Sequence, residues 1–216
     1  MSDNAVTICT FDQGREGLPE GAEEILHIGR ALAADVGAPL HWLVLGDLPE
    51  QASAAAGQFG VSSLLHIEDP KLCPVQADAA VHAISAYCEE HNPRALILHQ
   101  TLDARVVAPR VAGRLDKAVV MNGISVDAVG ENLQLTASAY GGDTRVIYEV
   151  GPGPILSFIA NAVVPERGEG APVPAESLAC DLAGVNERVE IVEQANFDGP
   201  RLDDAEIIVS GGRGLG

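Results

Sequence analysis

A chain of 216 residues holds one large domain, or one domain and a piece of a second; with 47% hydrophobic but only 4% aromatic residues, its core has to be aliphatic and alanine-rich. That content excludes a disordered chain. A formal charge of −18 excludes nucleic acid and anionic membrane surfaces as partners, because like charges repel, and leaves a basic partner protein or plain solubility as its use.

Ala5–Thr10 is a short apolar run that reads as a first strand. Pro19–Val36 follows as a helix: Ile25, Ile28, Gly29, Leu32 and Val36 recur at helical spacing, Glu23 and Glu24 sit near its positive end, and Gly37 stops it. Leu40–Leu45 is nearly continuous in apolar residues, as a strand covered on both faces would be. The unit repeats with a helix over Pro49–Phe59 and a strand over Val61–Ile67. It repeats again with a helix over Gln76–Glu90, closed by Pro93, and a strand over Arg94–His99. Strands alternating with helices at this spacing predict a mainly parallel sheet with right-handed crossovers in a three-layer α/β domain.

In the next helical stretch Thr101 or Asp103 can cap, and Pro109 predicts a late start or a kink. Arg105, Arg110 and Arg114 do not share one clean stripe, so surface ion pairs explain them better than an anion site. Beyond Ala118 the rhythm changes. Val119–Val129, Leu133–Tyr140, Thr144–Val150 and Ile155–Asn161 are strand-like with no helix among them, and glycine-bearing turns separate them. This part is expected to form an antiparallel extension of the sheet. Tyr140-Gly141-Gly142-Asp143 is better explained as a hairpin turn than as a catalytic loop.

Val164–Leu182 carries Pro165, Pro172 and Pro174 with Gly168 and Gly170, so it reads as an extended connection over the domain surface. Arg188–Glu193 alternates polar and apolar residues as one more strand, and Asn196–Asp204 is a polar hinge. Ala205–Ser210 then reads as a short buried strand leading into Gly211-Gly212-Arg213-Gly214-Leu215-Gly216. Such a turn usually opens a helix whose N-terminal amides hold a phosphate. One strand and one loop bury too little to be a domain, so this stretch is expected to complete another sheet or to open a domain of a longer chain.

Cys9, Cys73, Cys88 and Cys180 are scattered without a C-x-x-C pair, which fits reduced thiols in a cytoplasmic protein. The six histidines supply no metal-ligand spacing. No secretory or mitochondrial leader and no membrane-spanning run is expected.

Ile208-Val209-Ser210-Gly211-Gly212-Arg213-Gly214-Leu215-Gly216 resembles the opening of the flavin-binding domain in the α subunit of electron-transfer flavoproteins. The pattern of Leu96–Val126, with Pro109-Arg110-Val111-Ala112 in its helix, is similar to that family's N-terminal domain. So is Tyr140-Gly141-Gly142-Asp143, although Asp143 replaces the usual asparagine and Arg145 stands where the family is usually apolar. The resemblance implies two domains: residues 1–190 as the N-terminal α/β domain, which binds no nucleotide and packs against a β subunit, and 191–216 as a linker with the first strand and loop of an FAD domain. It implies an electron-carrier subunit rather than an enzyme, a heterodimer that passes electrons from soluble flavin dehydrogenases to a quinone reductase or another acceptor. Arg213 would contact FAD, and Gly212 and Gly214 would let the backbone approach it. Two other readings stand beside this one. The first is a stand-alone adenine-nucleotide module in which Phe11-Asp12-Gln13-Gly14 caps the ligand; the second is a non-redox interaction domain.

Overall fold

In the computed structural model, residues 4–12, 17–188 and 207–212 are described. Val6–Phe11 (β1), Leu40–Leu45 (β2), Ala95–His99 (β4) and Ile155–Phe158 (β8) are buried at every position. Continuous apolar runs of this kind have to be covered on both faces, and helices cover them. Ala22–Val36 (α1) and Ala52–Gln58 (α2) pack on one face around Ile8, Trp42 and Ile97. Ala77–His91 (α3) and Leu102–Leu115 (α4) pack on the other around Leu43, Leu96 and Leu98. The layers are therefore helix, sheet, helix, as expected.

Some of the polar groups in this interior are paired with one another. The Trp42 indole donates to Thr10 Oγ1 at 3.0 Å, and the Tyr87 hydroxyl joins Thr7 Oγ1 at 3.0 Å. Gly37 closes α1 in the left-handed region, with its N–H on the carbonyls of Ala33 and Ala34, as its position past the helix end predicts. Thr101 caps α4 by accepting from the Ala104 N–H. The helix then runs through Pro109 without a late start. Pro109 and Arg105 lie on the exposed side, where water takes the carbonyl that proline leaves unbonded.

Among the described residues nine strands form one sheet in the order β7-β6-β5-β8-β4-β1-β2-β3-β9. Its further members are Ser63–Ile67 (β3), Val119–Val129 (β5), Asn132–Ala139 (β6), Thr144–Val150 (β7) and Ala175–Ser177 (β9). β5, β6 and β7 are an antiparallel meander, joined at one end by the expected turn at Tyr140–Gly142. The fourth stretch departs from expectation: β8 is not part of the antiparallel group but lies between β4 and β5, parallel to both.

The connection from β7 to β8 forces the meander to curl. Val150 lies level with Leu133 on β6 and so with Ala128 on β5, whereas Ile155 lies level with Val119. A straight β5 would separate those points by about 30 Å, and five residues span at most about 18 Å. The register irregularities around Gly123 and the left-handed Asn122 supply the bend. The result is visible at the hairpin tip, where the Arg94 guanidinium at the start of β4 donates to the Glu131 carbonyl at 2.6 Å.

The expected surface connection is also present. It crosses α2, with Gly168 N donating to the Gln58 carbonyl and Ser53 Oγ to the Val173 carbonyl, both at 2.8 Å. A Cβ on Gly57 would overlap the carbonyl of Ala171, so glycine is required where the two segments touch. The chain then adds β9 beside β3 and reaches α3, whose first amides at Asp78 and Ala79 donate to the Glu187 carboxylate. The strand expected over Arg188–Glu193 and the hinge over Asn196–Asp204 fall almost wholly outside the described residues.

Ile207–Ser210 corrects the sequence reading. The segment is not a strand and is not buried: Ile207 is 83% and Val209 94% exposed. Apolar, β-branched residues make a buried strand only where neighbouring strands pair with them, and none of the described strands runs beside this segment.

Candidate functional site

Open α/β sheets bind ligands beyond the carboxyl ends of their strands, where the strand order reverses. Here β1 leads to β2 on one side while β4 lies on the other, so the reversal falls between Phe11 and His99. The sheet brings His99, at the end of β4, against Gly21, the left-handed residue that starts α1. A Cβ on Gly21 would overlap the imidazole ring, so the histidine plugs the space between the end of β4 and the start of α1. His99 is only 6% exposed, and neither ring nitrogen has a hydrogen-bond partner among the described residues. Burial pushes its pKa down, against the opposing pull of Glu24 and Glu20.

Beside this plug, between α1 and α2, lies a cleft of about 620 Å³ bordered by Glu20, Glu23, Glu24, Gln58 and Arg167. Arg167 pairs with Glu23. Carboxylates in a first helical turn suit the helix dipole, and the same charges repel phosphate. On the far side of His99, Gln100 and Asn122 close the β4 end with a reciprocal pair: Gln100 Nε2 donates to Asn122 Oδ1 at 2.6 Å, and Asn122 N donates to Gln100 Oε1 at 2.5 Å.

A second group forms at the ends of β1 and β2. Asp12, Asp47 and Cys73 bring their ligand atoms within 4.8 Å of one another. Cys73 Sγ donates to Asp47 Oδ1 at 3.3 Å. Burial, with Asp47 adding to it, pushes the Cys73 thiol up to about 12, so it is a protonated donor and a poor nucleophile. Phe11, which the nucleotide-module reading uses to hold its ligand, is buried in the core, and Asp12 lies with Asp47 and Cys73. All four cysteines are free thiols.

Of the residues singled out for a cofactor, Gly212 lies on the exposed terminal segment with open space around the position of a Cβ. Arg213 and Gly214 lie outside the described residues. Of the three arginines on α4, Arg110 pairs with Asp78, the ion pair expected for it. Sequence reasoning did not find the His99–Gly21 plug or the Asp12–Asp47–Cys73 group. The available signal was positional: Asp12, Asp47 and His99 stand at or just past the carboxyl end of an apolar run, whereas Gly21 and Cys73 carry no such mark.

The pattern of the electron transfer flavoprotein domain matches residues 9–182. The chain is 26% identical over 195 residues to the electron transfer flavoprotein subunit alpha of Bacillus subtilis, covering 89% of this chain and 59% of that protein. It is 29% identical to the subunit alpha of Thermoanaerobacterium thermosaccharolyticum, covering 97% and 66%. With Protein FixB of Clostridium saccharobutylicum it shares 28% identity, covering 97% and 64%. The chain thus spans about three-fifths of the length of these relatives.

Proposed function

Because this chain belongs to the electron transfer flavoprotein domain family, in the manner of its α subunits, we propose that it is the α subunit, or the N-terminal part of one, of a heterodimeric FAD-containing electron carrier. The observation that carries the reading is the pairing of a family domain over residues 9–182 with a separate, exposed glycine-rich segment downstream of it. In this reading the first domain is a platform for a β subunit, and the cofactor is held by residues from Gly212 onward. The carrier takes electrons from soluble flavin dehydrogenases and delivers them to a quinone reductase or another acceptor in the cytoplasm, with no chemistry of its own beyond positioning the cofactor.

The residues divide between fit and misfit in a way that supports this. The acid-lined cleft at α1 and the ring of His99 do not suit a dinucleotide, which also counts against the stand-alone nucleotide module. Gly212, exposed and with room on its Cα side, suits a backbone that has to approach a cofactor closely. Bound FAD would supply the one- and two-electron steps. Arg213 would offer a fixed fork of donors and a positive charge that favours the reduced, anionic flavin, and Gly212 and Gly214 would keep side chains out of its way.

The test is to co-express the full polypeptide with a β subunit of this family and measure bound flavin and its reduction potential. Arg213→Ala is expected to weaken FAD retention tenfold or more, the loss of a charge-assisted contact of about 1.5–3 kcal/mol, and to lower the potential. Flavin content and potential equal to the unsubstituted protein would remove Arg213 from the site. Absence of flavin from the unsubstituted heterodimer would overturn the reading itself.

A further inference from the structure

The two edges of the nine-stranded sheet are treated unequally. β9 is three residues long and follows directly on Pro172-Val173-Pro174, so it is short and proline-guarded, a usual defence against edge-to-edge pairing. β7 has no such defence. It runs for seven residues, Thr-Arg-Val-Ile-Tyr-Glu-Val, without proline or lysine, and Ile147 and Tyr148 are 63% and 43% exposed on it. A long, apolar, unguarded edge offers a row of unpaired backbone groups to another strand.

Its sequence specifies which strand. We propose that β7 pairs antiparallel with β7 of a second copy of this chain, about a two-fold axis at Ile147, and joins the two sheets into one. In that register Arg145 lies opposite Glu149 of the other copy and Glu149 opposite its Arg145, while Val146 faces Tyr148 and Ile147 faces itself. Both ion pairs and the central isoleucine fall on one face, and the valine–tyrosine pairs fall on the other, because successive side chains alternate. The segment is self-complementary in charge, as a two-fold interface requires. Opposite charges directly across an antiparallel pair stabilise it, and like charges there destabilise it.

The individual groups are free to do this. Among the described residues Arg145 has no carboxylate partner, and Glu149 uses Oε1 to accept from Asn132 on the neighbouring strand at 2.8 Å. Oε2 remains for the arginine across the axis. The proposal is independent of the flavin reading, since it uses neither Gly212 nor any residue bordering the carboxyl-edge cleft.

Sedimentation equilibrium of the full chain, over concentrations up to about 100 μM, gives the baseline, and circular dichroism checks that each variant is folded. Arg145→Glu and Glu149→Arg, each alone, place like charges opposite one another twice per dimer and are expected to weaken self-association about tenfold or more. Mixing the two single variants restores both pairs across the axis, and so does the double variant Arg145→Glu/Glu149→Arg; each should regain dimers of near-original affinity. A chain that is monomeric throughout that range overturns the proposal. So does a dimer insensitive to either single change, or one that the mixture fails to restore. If the chain is monomeric alone and Arg145→Glu weakens only binding to a β subunit, the edge belongs to that partner and self-pairing is wrong.

Discussion

The carboxyl edge of the parallel sheet and the segment Ile207–Gly212 are both places where an α/β protein of this kind takes a ligand, and they are built in opposite ways. At the carboxyl edge the sheet has the required strand reversal, but His99 and Gly21 fill it and three glutamates line the cleft beside it. The glycine-rich segment, in contrast, is the one proposed above to approach a cofactor, and Gly212 has open space around the position of a Cβ among the described residues. The fold's default position is therefore occupied in part by side chains, and the cofactor residues proposed above lie elsewhere in the sequence. A topological rule locates where a site is geometrically easy, and the side chains decide whether one is there.

The sharpest way to break this contrast is to compare substitutions in the two regions for their effect on stability. Trp42 is fully buried among α1, α2 and the sheet, and its indole satisfies Thr10. Trp42→Ala removes a large side chain and leaves that hydroxyl without its donor, so a loss of about 3–5 kcal/mol is expected. Val209→Ala, at a 94% exposed position, should stay within about 0.5 kcal/mol of the unsubstituted chain. Urea denaturation of both variants checks this; a comparable loss from Val209→Ala would mean that the terminal segment packs against the domain after all.

A smaller effect separates two glycines. Gly21 holds a left-handed conformation with the His99 ring where a Cβ would go, whereas Gly212 has nothing within 4 Å of that position. Gly21→Ala should cost about 2 kcal/mol, from the positive φ and the displaced ring together. Gly212→Ala should leave thermal unfolding unchanged while weakening flavin retention in the full heterodimer. Equal melting temperatures for the two variants would show that the crevice is looser than its geometry implies.

Much of the domain was legible from local pattern. The apolar runs of β1, β2 and β4 and the glycine after α1 fixed the parallel half, because each carries its own burial signal in six or so residues. The position of β8 was not legible. Ile155–Phe158 has the same apolar character whether it pairs parallel or antiparallel, and only the curl of the β5–β7 ribbon decides which. Ile207–Ser210 failed for a related reason: its composition records that it suits a sheet, while burial depends on strands that its own sequence does not supply. The motif around Arg213, proposed to hold a cofactor, is visible as a string of letters, and the crevice plug is not, since His99 and Gly21 meet only through the parallel pairing of β1 with β4.

The plug itself provides the smallest and most specific test. His99 is buried with both ring nitrogens unpartnered, and burial lowers its pKa from the ordinary value of 6.5. Glu24 and Glu20 pull the other way, while Glu23 is engaged by Arg167. Burial prevails, so the unfolded chain binds the proton more readily than the folded one. The contribution to stability is then present above about pH 6.5 and is lost as the pH falls from there toward the lowered folded value. Asp78 has its pKa lowered by Arg110, and its contribution is lost in the same direction only below 3.8, outside the range from pH 7.5 to 5.5. Urea midpoints at pH 7.5 and 5.5 should therefore fall on acidification for the unsubstituted chain and fall less for His99→Gln. Identical pH slopes for the two proteins would show that the imidazole reaches water or a donor in the folded state, and the crevice would then be open rather than plugged.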